Sequence, residues 1–366
     1  MASMQVRDRL ARLRRALADS DQPPALLVTS LTNVRYLTGF TGSAGMLFVL
    51  PEEAVLLTDG RYGEQAAEQL AVADVSVRVE VCPAAGQSER AGGVLAAGGV
   101  AALALEADHV SWARQRAFAE KWFPGVELAP SVGLVEGLRR VKDAGELDRL
   151  AEAARIADEA LSAVRGRLAD GVTEADFGLA LDFEMRGLGA TAPSFETIVA
   201  SGPNGAKPHH RPGSRRIGRT EPIVLDFGAL YDGYHSDMTR TVWVEGLGDP
   251  VLRRAVDVVL ASQAAGVAAV KPGAACVEVD RACRSVIADA GWADNFVHGT
   301  GHGVGLDIHE APSLSAVSTD TLAVGHVVTV EPGVYLQGVG GVRIEDTVVV
   351  TEDGCRPLTS TLKDAS

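Results

Sequence analysis

Residues 224–244 read VLDFGALYDGYHSDMTRTVWV, and residues 329–350 read TVEPGVYLQGVGGVRIEDTVVV. Both follow one plan. An apolar run reaches an acid-x-Gly step, crosses a glycine-containing turn, meets a second acid and ends in a Thr/Val run. β-Branched runs bounded by turn residues read as strands, so each segment is a hairpin with one carboxylate on each arm. Two similar hairpins in one chain suggest a duplicated half-domain. In the first, a four-residue loop over 230–233 pairs Asp226 directly with Asp237. A two-residue Asp232-Gly233 turn instead pairs Asp226 with Thr239 and leaves Asp237 diagonal. Either way the two carboxylates share a face, with β-carbons roughly 4.5–8 Å apart. Glu331 and Glu345 stand in a similar relation in the second hairpin.

Like charges at a semi-buried site repel, and one acid of a pair is driven to take up a proton. Two divalent cations neutralise four such carboxylates and remove that cost. Seven of the eight histidines lie between positions 209 and 326, and three of them fall in HGTGHGVGLDIHE, residues 298–310. Its glycines let the backbone pass close to an ion or ligand and leave His302 unencumbered. The spacing is not H-E-x-x-H, which excludes a zincin. Oxygen-rich ligation with one imidazole suits Mn2+, Co2+ or Mg2+ better than thiolate-seeking metals. His210 and His326 read as ordinary surface or core histidines, and His235, two residues from Asp237, as a non-ligand.

The remainder of the 366 residues frames this region. The length fits about two domains. The net charge is −14, with −3 on residues 1–135 and −11 on residues 136–366. Such a chain has no global attraction for nucleic acid or anionic lipid. Five basic side chains between Lys207 and Arg219 have no interleaved aromatic residue and read as a solvated loop near the site. Four cysteines form no C-x-x-C pair, which points away from a disulfide scaffold or thiolate zinc site and towards a reducing cytoplasm. The N-terminal segment mixes arginines and aspartates without an apolar core, so no secretory signal is expected. The weakly apolar stretch 91–105 is too short to span a bilayer.

Strand-like runs at 25–29, 46–50, 54–58 and 75–81 alternate with helical patterns, giving an α/β reading for residues 1–135. Residues 126–135 read as a crossing, and a long helix is expected from Arg139 onwards. Residues 136–366 read as α+β. Strands are expected at 198–201, 223–227, 239–244, 327–331 and 342–350, and helices over 249–270 and after Val277.

At this point the chain resembles a known family. LDFGALYDGYHSDMTRT, VHGTGHGVGLDIHE, VEPGVY and RIEDT together look like the pita-bread metallopeptidases of family M24: methionine aminopeptidase, Xaa-Pro aminopeptidase and Xaa-Pro dipeptidase. TNVRYLTGFTGSAGMLFVL, residues 32–50, resembles the creatinase-type N-terminal domain of the two Xaa-Pro enzymes, which methionine aminopeptidase lacks. The resemblance implies a creatinase-like α/β domain over 1–135 and a pseudo-two-fold pita-bread catalytic domain over 136–366. It implies that Asp226 and Asp237 bind one ion, that Asp237, His302 and Glu331 bind a second, and that Glu345 bridges both. It implies Mn2+ first, with Co2+ or Zn2+ as alternatives, and a water between the ions as nucleophile. His209, His298 and His309 are then histidines that line the site and bond the substrate, and Arg343 supports it. No ligand position departs from the pattern, which weighs against a non-catalytic binding module of the same fold. The expected substrates are small peptides with proline second, cleaved by a cytoplasmic homodimer. Xaa-Pro aminopeptidase is the first choice and Xaa-Pro dipeptidase the alternative.

Overall fold

The computed structural model describes residues 4–364. Residues 1–3 of the N-terminal segment discussed above lie outside them. The chain divides into two compact units, one ending at Arg139 and the other beginning at Arg140.

The first unit is built on β1 (Leu26–Val28), β2 (Met46–Val49), β3 (Ala54–Thr58), β4 (Arg78–Val81), β5 (Ala102–Glu106) and β6 (Glu127–Ser131). They form one sheet in the order β4-β3-β2-β1-β5-β6. β2 runs antiparallel to β1 and β3, and the other neighbours pair in parallel. Strands β1 to β3 are buried at every position, which explains their continuous apolar runs. The helices are α1 (Arg9–Ala18), α2 (Leu31–Thr38), α3 (Gly63–Val72), α4 (Gln87–Ala97), α5 (Trp112–Ala117) and α6 (Leu134–Arg139). The segment expected as a crossing holds β6, paired with β5, and the start of α6. Helix α6 packs on α1 and α2, so the division follows Arg139, beyond the cut at residue 135 drawn from sequence.

The second unit repeats one layer twice. In its first half, α7 (Ala144–Val164) and α8 (Glu174–Gly187) cover the sheet β12-β9-β8, made of β8 (Ile198–Ser201), β9 (Ile223–Phe227) and β12 (Met238–Val242). A smaller sheet joins β7 (Ala192–Pro193), β10 (Ala229–Tyr231) and β11 (Tyr234–His235). Ile156, Leu161, Phe177 and Leu181 from the helices meet Val199, Leu225, Phe227 and Met238 from the strands. In the second half, α9 (Pro250–Ala269) and α10 (Cys276–Asp289) cover a five-stranded sheet, β14-β13-β15-β18-β19. Its strands are β13 (Gly301–Gly303), β14 (Glu310–Leu314), β15 (Val327–Val330), β18 (Asp346–Val350) and β19 (Cys355–Pro357). Here Val256, Val259, Val279 and Ile287 meet Val328, Val330, Val348 and Val350, with Cys276 and Cys283 as small core residues between them. The hairpin β16 (Gly333–Leu336) and β17 (Gly340–Arg343) completes the half.

Local chemistry explains the helix starts. Asp143 and Glu146 form a capping box, so α7 begins at Ala144 rather than Arg139. Asp249 caps α9 ahead of Pro250, whose missing N–H costs nothing there. The first hairpin takes the two-residue turn. Asp232 and Gly233 both have positive φ, 42° and 74°, and Tyr231 pairs with Tyr234. Asp226 therefore stands opposite Thr239, with Asp237 diagonal to it. The second hairpin does not run as one strand over 342–350. It breaks at Ile344 and Glu345, between β17 and β18, because Glu345 N–H turns aside to donate to Thr239 O at 3.1 Å. No helix among the described residues is long and apolar enough to cross a membrane.

The turn at Gly202–Ala206 lies backbone to backbone against β17. A Cβ on Gly341 would meet the Gly205 carbonyl far inside van der Waals contact. Gly341→Ala is therefore expected to destabilise the second unit by about 1–3 kcal/mol, since the obstacle is backbone and cannot rotate away. That is a fall of several degrees in Tm, measurable on chelator-treated protein. An unchanged Tm would mean that the two segments do not touch.

Candidate metal centre

Asp226 ends the apolar face of β9, Asp237 precedes β12, Glu331 follows β15 and Glu345 precedes β18. The register that pairs Val330 with Asp346 and Gly333 with Arg343 sets Glu331 opposite Glu345. Threonines join the halves. Thr239 Oγ1 donates to Glu345 Oε2 at 2.7 Å, Thr241 Oγ1 to Arg343 O at 2.8 Å, and Thr347 Oγ1 to Asp237 O at 2.8 Å. One carboxylate oxygen each of Asp226, Asp237 and Glu345 lies within 4.8 Å of the others. Asp226 Oδ1 and Glu345 Oε1 are buried there without a hydrogen-bond partner.

His302 extends this cluster. Its Nδ1–H donates to Gly303 O at 3.0 Å, which leaves Nε2 as the unprotonated nitrogen of a neutral ring. Nε2 stands 3.5 Å from both Asp237 Oδ2 and Glu331 Oε1. Burial pushes the imidazole down to about 4, so these contacts are not salt bridges at neutral pH. A lone pair aimed at two carboxylates is repulsive unless a cation or proton lies among them. The donor set therefore fits divalent metal: four carboxylates and one neutral imidazole, with oxygens left unsatisfied.

Without an ion, protons must do that work. Burial raises Asp237 well above its ordinary value, reinforced by Glu345, Asp226 and Glu331. Burial likewise raises Glu345, reinforced by Glu331 and Asp226. Glu331 is pushed up to about 8 by burial, against the pull of Arg343.

The carboxylates open on a cleft of about 530 Å³, whose lining includes His209, His210, Arg211, His298, His309 and Arg343. The rings of His302 and His309 meet edge to face at 4.3 Å. His309 is lowered by burial and by nearby His209. The next residue, Glu310, is tied to buried Lys142 at 3.1 Å and accepts Asp307 N–H at 3.0 Å, which fixes the loop behind the ring. His298 lines the cleft, but both its nitrogens are already engaged. Nδ1–H donates to Gly299 O at 2.8 Å, and Nε2 accepts the Tyr335 hydroxyl at 2.7 Å. Burial pushes this ring down to about 4. Arg343 is 3% exposed. It donates to Asp226 Oδ2 at 2.5 Å, Tyr335 Oη at 2.8 Å, Thr239 Oγ1 at 3.1 Å and Pro208 O at 3.3 Å.

The family models match almost the whole chain. "Metallopeptidase family M24" matches residues 148–352, and "Creatinase/Prolidase N-terminal domain" matches residues 9–141. This chain belongs to metallopeptidase family M24. An uncharacterised peptidase of Bacillus subtilis is 40% identical over 340 residues, 93% of this chain and 94% of the relative. The structure of an Xaa-Pro dipeptidase from Bacillus anthracis superposes with a TM-score of 0.92 at 37% identity, covering 98% of both chains. That of an X-Pro aminopeptidase from Thermotoga maritima gives 0.87 at 31% identity, covering 96% of this chain and 99% of that one. The fold is a creatinase-type N-terminal domain followed by a pita-bread catalytic domain, and the M24 chain is an enzyme, a metallopeptidase.

Every residue singled out in the HGTGHGVGLDIHE loop and at the hairpin acids converges on this M24 centre or its cleft. His235 and His326 do not line it. His235 Nδ1 is 2.8 Å from Ser194 Oγ, and His326 Nδ1 accepts Ala323 N–H at 3.3 Å. His210 does line the cleft, though its ring turns to Glu174. Tyr335, Thr239 and Glu174 are further contributors. Tyr335, four residues after Glu331, links Arg343 to His298, and burial pushes its hydroxyl up to about 12, so it stays a donor. The basic loop spends its charges on partners: Arg211 on Glu196, Arg215 on Glu221, and Arg219 on Glu245.

In ion-free protein, folded Glu331 holds a proton between pH 4.5 and about 8 that the unfolded chain has released. Its contribution to stability is therefore present below that window and is lost as pH rises through it. Glu331→Gln carries no such proton. With both proteins chelated, the variant's Tm is expected to gain on the wild type's as pH rises through the window. A constant difference would contradict the raised carboxyl.

Proposed function

We propose that this M24 chain is a two-metal Xaa-Pro peptidase that splits dipeptides between the first residue and proline. The observation that carries the metal centre is His302 Nε2, an unprotonated nitrogen 3.5 Å from carboxylates of both Asp237 and Glu331. The dipeptidase choice draws on the Bacillus anthracis Xaa-Pro dipeptidase, to which this chain is 37% identical along its length. It replaces the aminopeptidase as first choice.

Asp226, Asp237, His302, Glu331 and Glu345 would hold the two ions. Mn2+ is the proposed metal, since hard oxygens outnumber nitrogen four to one. Two such ions would supply an activated water and Lewis-acid polarisation of the scissile carbonyl. The protein's own groups do the rest. His209 and His309 face the cleft, and their ring N–H groups can donate a hydrogen bond to oxygen as negative charge develops on it. Tyr335, gripped by Arg343 and His298, fixes one wall. Arg343 also keeps Asp226 in place through its 2.5 Å bond. Glu331 and Glu345, whose proton affinity burial raises, are suited to accept a proton from the nucleophile. A proline amide has no N–H and a fixed φ, so its recognition rests on shape. Phe195, Ile198 and Ile308 line the cleft and offer apolar faces to a pyrrolidine ring.

The second reading, an Xaa-Pro aminopeptidase, is favoured by the likeness to the Thermotoga maritima enzyme. Turnover of Gly-Pro and of Gly-Pro-Gly-Gly, each with Mn2+, separates the two. Gly-Pro is expected to be cleaved at least about ten-fold faster, a difference of about 1.4 kcal/mol in barrier. Faster cleavage of the longer peptide would favour the aminopeptidase. Cleavage of neither would overturn the Xaa-Pro assignment.

A further inference from the structure

Glu174, the first residue of α8, is fully buried and takes no part in the chemistry described above. Its Oε1 accepts Ser201 N–H at 2.8 Å, Ser201 Oγ–H at 2.7 Å and Asn204 Nδ2–H at 3.1 Å. Its Oε2 faces His210 Nε2 at 2.9 Å and also meets Asn204 Nδ2 at 3.2 Å and Gly213 N at 3.4 Å. A buried charge is tolerated only when it is fully bonded in this way. Burial raises the carboxyl, but the donors from Ser201, Asn204 and His210 outweigh it and hold it below its ordinary value. The start of a 14-residue helix adds a favourable dipole for a negative group.

These partners all belong to one segment, residues 201–213. It leaves the end of β8, makes the Gly202–Ala206 turn and then forms a wall of the cleft with Pro208, His209, His210 and Arg211. Its other side is held at the metal centre, where Arg343 Nη1 donates to Pro208 O at 3.3 Å. His209 therefore stands between two pinned neighbours. Pro208 is tied to Arg343 and His210 to Glu174.

We propose that Glu174 is a positioning residue that sets where His209 stands in the cleft, acting through His210, Ser201 and Asn204. This rests on the reading of His209 as a group that meets the substrate. Glu174 works as an anionic hub: a neutral amide in its place would aim an N–H at donors that need an acceptor.

The test is a double-mutant cycle on the full chain, with Gly-Pro turnover, bound manganese and Tm measured for each protein. Glu174→Gln is expected to lower kcat/KM by about ten- to a hundred-fold, the range for a displaced catalytic contact, with manganese content unchanged. In a His209→Ala background the same substitution should cost no more than about two-fold further, because the group it positions is gone. His210→Ala should show the same coupling with a smaller loss, and it carries the test if Glu174→Gln does not yield folded protein. A merely structural role would lower Tm in every background and keep its full kinetic cost in the His209→Ala protein; that result overturns the proposal. Wild-type turnover by Glu174→Gln also overturns it. Wild-type turnover by His209→Ala alone would remove the role of His209, and with it this inference, while leaving the metal centre standing.

Discussion

Four carboxylates and a neutral imidazole crowd one small, largely dry volume between two hairpins. Like charges so placed repel, and burial strips away the water that would screen them. Asp226 Oδ1 and Glu345 Oε1 lack even a hydrogen bond. Only positive charge resolves this, either as bound protons or as metal. The same crowding that would destabilise an ion-free chain makes a strong cation site. Metal binding and proton release are then two views of one equilibrium.

The architecture exists to enforce that crowding. Each half of the second unit lays two helices on an antiparallel sheet, and each sheet offers its acids at strand ends facing the other half. The threonines at 239, 241 and 347 join the halves with hydroxyls that bond across the seam. Arg343 lies along the same seam. Burial opposes its charge, but Tyr335, Asp226 and Glu331 hold it protonated. It thus offsets part of the local negative charge without occupying the space among the hairpin acids. Around this rigid centre the cleft walls hang on buried contacts at some remove: the Lys142–Glu310 ion pair behind His309, and the Glu174–His210 hydrogen bond behind His209.

Much of this was legible because period-two strands, glycine turns and acids at fixed offsets are local signals. The two-residue Asp232-Gly233 turn was visible as one of two alternatives, and only the pairing across it decided the register. Residues 342–350 look like one strand because every local preference supports it. The break at Glu345 comes from a hydrogen bond to Thr239, more than a hundred residues away, which no local pattern encodes. Glu174 was invisible for another reason. An acid in the first turn of a helix, next to the Thr173–Asp176 capping box, already has an ordinary explanation there. Tyr335 and Thr239 read as strand residues, since β-propensity accounts for both. The spacing of Tyr335 four residues after Glu331 was the available hint.

The most direct measurement is a titration of Mn2+ into chelated protein at neutral pH, counting ions bound and protons released per chain. Two ions per chain are expected, with release of at least one proton, because the raised carboxyls must give up protons to bind metal. Fewer than one ion per chain, or binding with no proton released, would contradict a centre in which metal replaces protons on converging carboxylates.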